Sequence, residues 1–299
     1  MGPRVKAYLQ LCRPANLPTA AADILAGISI SGLFAGIGAF EIPEVDLFSF
    51  LILILASVFL YAGGVVLNDV FDLVIDKVER PERPIPSGVV PLGKARSFGF
   101  GLLAVGIYFA FLANSNSGII SVFLALSILS YNKFAKHHAI LGPLNMGICR
   151  GLNLLMGISL LSTMENWPYV LVPIVFIFAV TMISRGEVHG KNKGNLLLAG
   201  LLYVVVLSGV FYLHQEYANG DLWYLLFLAL FAFMVFKPLI KAYQNNTPEN
   251  IKKAVKSGVL SIILLDAAMA VAHANLIIGV LMLLLLPLSV YLAKQFAVT

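Results

Sequence analysis

The sequence predicts an all-α, polytopic bundle of nine to ten membrane-spanning helices, forming a single domain over residues 1–299. Three observations carry that expectation. Of 299 residues, 60% are hydrophobic and 12% are charged, against about 25% charged in a soluble domain. The apolar residues fall in long blocks, such as 47–66 and 277–292, and a bilayer-spanning helix needs about 20 of them in a row. The basic residues also sort to alternate connections, as the positive-inside rule requires of a multi-pass protein.

Taken in order, the apolar segments place spans near 16–40, 48–75, 97–115, 118–134, 139–162, 168–187, 195–214, 221–240, 254–273 and 276–296. The first is read as a retained span because further spans follow it and no small-residue cleavage site stands out. Pro81, Pro84, Pro86 and Gly88 stop the second helix. The run from Asn114 to Gly118 is expected to form a turn. Asn245 and Asn246 end a helix, and Thr247 before Pro248 is expected to cap the next one. The pairs Gly32/Gly36 and Gly147/Gly151 have the small-xxx-small spacing that lets helix backbones approach.

The charges test the span count. Of the 20 basic residues, all but Arg150 lie in connections on the side of the N-terminus, from Arg4, Lys6 and Arg13 to Lys294. The opposite connections hold Glu41, Glu44, Asp46, Glu165, Glu216 and Asp221, with no Lys or Arg. A wrong count would scatter the cations to both sides, so both termini are expected in the cytoplasm. The formal net charge of +5 follows from this topology, and no nucleic-acid partner is expected. Two cysteines, Cys12 and Cys149, make no disulfide framework, and both are expected reduced. Asn245-Asn246-Thr247 matches a glycosylation pattern on the cytoplasmic side, where it goes unused.

The residues that carry chemistry begin at the end of the second span. Asn68, Asp69, Asp72 and Asp76 fall on one stripe of a helix. The bland explanation is a helix ending in water, but acids at a helix C-terminus oppose its dipole. Hard oxygen donors in this arrangement suit Mg²⁺, which keeps several waters and prefers a few carboxylates plus substrate phosphates. Lys77, Arg80 and Arg83 follow at once in a proline-rich loop. Acids that hold a metal beside arginines that fork onto phosphate oxygens are what a diphosphate needs.

The run Asn68-Asp-x-x-Asp72-x-x-x-Asp76, followed by Arg83-Pro84-Ile85-Pro86-Ser87-Gly88, resembles the first signature of the UbiA superfamily of intramembrane prenyltransferases. Arg13-Pro14 before Leu17-Pro18 and Leu25-Ala26-Gly27 is similar to the family's N-terminal segment. Tyr131-Asn132 with Lys136 resembles the loop after helix four, and Asn145, Arg150 and Gly157 resemble the fifth helix. The resemblance spans residues 7–194. It implies about nine helices around a central cavity, with 276–296 as an extra C-terminal span. It also implies Mg²⁺-dependent transfer of a prenyl group from a prenyl diphosphate to a small-molecule acceptor, which is unidentified and open to being aromatic.

On that resemblance Asn68, Asp72 and Asp76 are the catalytic residues, and Asn68, Asp69, Asp72, Asp76 and Glu187 the metal ligands. Arg80, Arg83, Lys136, Arg150, Arg185 and Lys191 neutralise the diphosphate. Phe71 and Tyr131 are candidates to face the prenyl cation. The family's second Asp-rich motif falls on 183–194, where Ser184 and Lys191 stand at positions expected to be Asp and only Glu187 keeps a carboxylate. The form Ser-Arg-Gly-Glu-Val-His-Gly resembles a divergent, EboC-like branch of the superfamily. The alternative to an enzyme is a lipid- or metabolite-binding or transport protein on the same fold. His189 near Glu187 lacks a His-Glu-x-x-His pattern, so zinc is not expected. His137, His138, His214 and His273 read as interface or loop residues. Asp266, costly in lipid, is expected to face the cavity or to hydrogen-bond a neighbouring helix.

Overall fold

The computed structural model describes residues 2–34, 47–161, 164–186, 192–218 and 222–296. Among these there is no strand. A short helix α1 (Pro3–Leu11) precedes α2 (Leu17–Ile30), α3 (Leu47–Phe71), α4 (Leu73–Glu79), α5 (Leu92–Ala113) and α6 (Ser115–Lys133). Then come α7 (Leu141–Ile158), α8 (Leu171–Ser184), α9 (Lys193–Tyr217), α10 (Tyr224–Gln244), α11 (Pro248–His273), α12 (Leu276–Leu283) and α13 (Leu285–Phe296). Each of the ten expected spans is helical over most of its described part.

Eight helical stretches among the described residues are long and apolar enough to cross a membrane, fewer than the nine to ten expected. The two that fall short are α2 and α6. Helix α2 has 14 residues, because Gly32 at φ 90° turns the chain out of the helix; residues 35–46 lie outside the described ones. Gly32 therefore acts as a terminator, not as the packing residue expected, and Gly36 is also outside the described residues. Helix α6 has 19 residues, but Ser115, Asn116, Ser117, Ser121, Ser127, Ser130 and Asn132 dilute its apolar run. It packs against α3, α5 and α7, so its polar side is turned into the bundle.

Several boundaries follow from local chemistry. Thr247 caps α11, its side chain accepting from the Asn250 N–H, with Pro248 at the first position. The expected turn at 114–118 shrinks to Asn114 alone, whose side chain accepts from Ser117 N–H at 2.8 Å, so that α6 starts at Ser115. The second expected span is divided at Asp72 into α3 and α4. The break is shallow, since Asp72 N–H still bonds Asn68 O and Asp76 N–H bonds Asp72 O.

Helix α11 runs through the core: every residue from 261 to 272 is buried. A helix apolar on all sides finds that environment inside a bundle, and α11 packs against α2, α8 and α10. The close approach of α7 and α8 depends on Gly147, where a Cβ would lie 2.5 Å from the Ile174 carbonyl oxygen. Outside, Leu201, Val204, Val205, Phe211 and Tyr212 of α9 are exposed, as a face toward lipid tails would be. The chain is thus a multi-pass helical membrane protein. Cys12 and Cys149 are free thiols, and burial pushes the Cys12 thiol up to about 11.

Candidate active site

The acidic stripe does not end in water. Asp69 and Asp76 are 6% and 2% exposed, and each acid of the stripe meets a cation. Arg83 Nη1 donates to Asp76 Oδ2 at 2.8 Å and reaches Asp69 Oδ1 at 3.3 Å. Arg13 donates to the same oxygen of Asp69. Lys136 donates to Asp72 Oδ1. Arg80, half-exposed, stands 3.9 Å from Asp76. Asn68 donates to Asn132 Oδ1, and Asn132 in turn donates to Gly64 O, both at 3.0 Å.

The scaffold explains why these cations arrive there. The loop after α4 is fastened to itself: Ser87 N–H bonds Arg83 O, and Val90 N–H bonds Pro84 O at 2.9 Å. Ile85 and Val90 are buried beside Ala7, Leu11, Val66 and Val70, so the loop is packed down and Arg83 is turned inward. Arg13 has φ 47°, an uncommon left-handed position for a non-glycine residue. It swings the guanidinium between α1 and α2 onto α3. Burial works against the Arg13 charge, but Asp69, with Asp76 behind it, outweighs burial and raises its pKa.

Behind the stripe lies a cavity of about 230 Å³ between α3, α6 and α7. Arg13, Asn68, Tyr131 and Asn132 line one end of it, and Ser57, Arg150 and Asn153 line the other. Leu124, Ile128 and Met146 form apolar wall between them. At the inner end Arg150 donates to Asp23 Oδ1 and to Thr19 O, both at 2.9 Å. Asn153 donates to Asp23 Oδ2 at 2.8 Å, and Ser57 donates to Asn153. Asp266 of α11 is buried beside Asp23, and its Oδ2 has no hydrogen-bond partner among the described residues.

Of the residues expected at the site, Asn68, Asp69, Asp72, Asp76, Arg83 and Lys136 are therefore brought together, with Arg80 at the margin. Arg150 lines the same cavity but is committed to Asp23 at its far end. Arg185 donates to His138 O, next to the Lys136 loop and not to the acids. Glu187, His189 and Lys191 lie outside the described residues. Ser184 bonds its own helix at Thr181 O. Tyr131 lines the cavity, whereas Phe71 is 41% exposed and is not among the lining residues. Asp266 is buried against Asp23 and is not among the residues that line the cavity. His214 is buried and stacks on Tyr224 at 4.0 Å, and His273 packs edge-on against Tyr169.

Asp23, Asn153 and Thr19 were missed from the sequence. A lone Asp inside an apolar span carried the signal, since an acid in the membrane pairs or works; Asn153 and Thr19 carried none.

Among the described residues no three His, Cys, Asp or Glu side chains converge on one ion position; the carboxylates are turned to Arg13, Arg83 and Lys136 instead. The donor set still fits Mg²⁺ chemically, with three carboxylates and an amide oxygen within two helical turns. Their counter-charges sit on long side chains that phosphate oxygens can attract away.

Residues 29–184 match the UbiA prenyltransferase family. The match includes the whole acidic stripe but not Arg13 or Asp23. A digeranylgeranylglyceryl phosphate synthase of Sulfurisphaera tokodaii is 33% identical over 195 residues, covering 64% of this chain and 66% of that protein. The counterpart from Methanocaldococcus jannaschii is 26% identical over 289 residues, 88% of this chain and 95% of that one. The chain thus spans just under two thirds of the Sulfurisphaera relative. Among solved structures, a UbiA homolog from Aeropyrum pernix K1 superposes with a TM-score of 0.68 at 19% identity, covering 84% of this chain and 96% of the other. A UbiA homolog from Archaeoglobus fulgidus bound to GPP and Mg²⁺ superposes with a TM-score of 0.60 at 14% identity, covering 89% and 100%. At these identities the structures speak for the fold.

Proposed function

The chain belongs to the UbiA prenyltransferase family, and from that premise we propose that it transfers a prenyl group from a prenyl diphosphate to an acceptor, with Mg²⁺, inside the bilayer. One observation carries the reading: three acids, each held by a cation, beside a cavity that Arg13 and Asn68 of the same cluster line and that Leu124, Ile128 and Met146 wall with apolar surface. Such a cluster exchanges partners when a diphosphate arrives. Arg13, Arg83 and Lys136 move from carboxylate to phosphate oxygens, and Asn68, Asp69, Asp72 and Asp76 are freed to hold the metal. Mg²⁺, when bound, stabilises negative charge on the departing diphosphate. Glu187 is assigned as a further metal ligand from its place in the sequence motif, and Lys191, Arg80 and Arg185 as further positive charge for the diphosphate.

The C–O bond of the prenyl diphosphate breaks, its electron pair leaving with the diphosphate. The carbon then bonds the acceptor, which gives up a proton. The apolar wall of Leu124, Ile128 and Met146 keeps out water that would quench the allylic cation. Tyr131 offers its ring face to that cation. The relatives' name supports a glyceryl phosphate lipid as acceptor in preference to an aromatic one. The distribution of Lys and Arg supports both termini on the cytoplasmic side. Asn16, beside the first helices, and Lys294, near the C-terminus, line one groove at the same end of the bundle, in line with an even number of crossings.

A second reading, lipid binding without turnover, is favoured by one feature: Ser184 and Lys191 stand where a second acidic cluster is expected. Release of inorganic diphosphate separates the two. The purified chain, given geranylgeranyl diphosphate, Mg²⁺ and either a glyceryl phosphate lipid or a hydroxybenzoate, is expected to release diphosphate with the lipid. Release with neither acceptor, despite measurable binding, would replace the transfer reading by the binding one.

A further inference from the structure

A groove of about 650 Å³ opens on the outside of the bundle between α10, α11 and the α12–α13 segment, away from the acidic stripe. It shares no lining residue with the inner cavity. Its walls are apolar: Leu230, Phe233 and Met234 from α10, Leu264 from α11, and Leu283 and Leu286 opposite. One end is different. Lys237 and Lys241, one turn apart on α10, and Lys253 on the first turns of α11 line it together.

That end is the same end of the bundle as the acidic stripe. Asn246, beyond α10, accepts from Asn192 N–H. Asn192 is fastened to Ile183 O at the end of α8. Arg185 there bonds His138, next to the Lys136 that holds Asp72.

We propose that this groove is a binding site for an anionic phospholipid of the adjoining leaflet, with its phosphate among Lys237, Lys241 and Lys253 and one acyl chain along the groove. The dimensions fit a single leaflet. From Lys253 to Leu264 the wall rises about 16 Å along α11, close to half of a hydrocarbon core of about 30 Å. The volume falls within the range of about 300–1,000 Å³ usual for small-molecule pockets.

The charge is what selects the headgroup. Among the described residues the acid paired at this rim is Glu249, at Lys253. Lys237 lies over the Phe233 ring at 5.1 Å and Lys241 adds a further cation, so positive charge is left over. A zwitterionic headgroup brings its own cation to that cluster and gains little. Basic pockets between membrane helices take anionic headgroups for this reason. A second copy of the chain docking through the same face would set lysines against lysines, which argues against a dimer there.

The positive-inside rule accounts for lysines on this side, but not for three of them at the end of one apolar groove. The test is native mass spectrometry of the full chain released from nanodiscs of equal phosphatidylglycerol and phosphatidylcholine. The wild type is expected to retain one phosphatidylglycerol in preference to phosphatidylcholine. The triple variant Lys237→Gln/Lys241→Gln/Lys253→Gln should lower that retention about 30-fold to 150-fold, from roughly 1 kcal/mol for each of two to three effective lysines. Met234→Trp, which fills the groove and leaves the charge alone, should lower it as well, and covers the case in which the triple variant misfolds. Lys94→Gln/Arg96→Gln, removing exposed cations elsewhere, should leave it unchanged. The site is overturned by equal retention of both lipids, by full retention in the triple variant or in Met234→Trp, or by equal loss in the Lys94/Arg96 variant. A dimer abolished by Met234→Trp would give the groove to a second copy instead.

Discussion

Arg83 bonds Asp76 at 2.8 Å by folding back across the proline-rich loop, and the same nitrogen reaches Asp69 at 3.3 Å. One guanidinium thus spans two turns of the acidic stripe. Asp69 and Asp76 are both buried, and repel each other unless a cation stands between them. Arg83 therefore fastens the stripe, and in the proposed reaction it is also the cation that passes to a phosphate.

Arg83→Ala is expected to lower stability by about 3 kcal/mol, because it leaves two buried carboxylates short of a partner. It should also weaken prenyl diphosphate binding roughly 10-fold to 100-fold, as loss of a charge-assisted bond does. Adding Asp76→Ala should recover part of the stability and none of the binding. Thermal unfolding and calorimetry of the two variants check this.

Metal dependence gives the second expectation. A prenyl diphosphate should bind more tightly with Mg²⁺ than with excess chelator, since phosphate oxygens complete the ion's octahedral shell. In Asp72→Asn/Asp76→Asn that difference should largely disappear. Equal binding with and without Mg²⁺ in the wild type removes the metal from the site.

At the inner end of the cavity, Arg150→Met should destabilise the chain by about 3–5 kcal/mol, because Asp23 is left as a buried charge with too few partners. Asp266→Asn should cost under about 1 kcal/mol, since it removes a second acid from beside Asp23 and leaves an amide of the same size that can donate to it. Thermal unfolding in detergent compares the two, and similar losses for both would contradict this ranking.

Helix packing is tested at Gly147. Gly147→Ala places a Cβ 2.5 Å from the Ile174 carbonyl oxygen, backbone that does not yield easily. We expect a loss of about 1–3 kcal/mol, while Gly209→Ala, with open space around it, should be neutral or stabilising. The midpoint of thermal unfolding reports both.

Topology is tested at the C-terminus. A reporter active only outside the cytoplasm, fused to Thr299, should stay silent, because the Lys and Arg residues sort to the side of both termini.

What the sequence by itself determined is what depends on local composition and period. The membrane class, the positions of the helices and the register of Asn68, Asp69, Asp72 and Asp76 on one stripe all follow from hydrophobic blocks and a 3.6-residue repeat. The Thr247 cap and the stop at the prolines follow from single residues. The number of membrane crossings was less legible, because α6 is polar where it faces its neighbours and reads as a span only in its spacing.

The tertiary structure alone decided which charges meet. Arg13 joins Asp69 across 56 positions, Lys136 joins Asp72 across 64, and Arg150 joins Asp23 across 127. Those pairings depend on how α2, α3, α6 and α7 cross, and the crossings depend on close contacts such as that at Gly147. A cation in a loop carries no mark of the acid it will neutralise. Burial makes an unpaired charge too costly to keep, and the helix packing selects the partner.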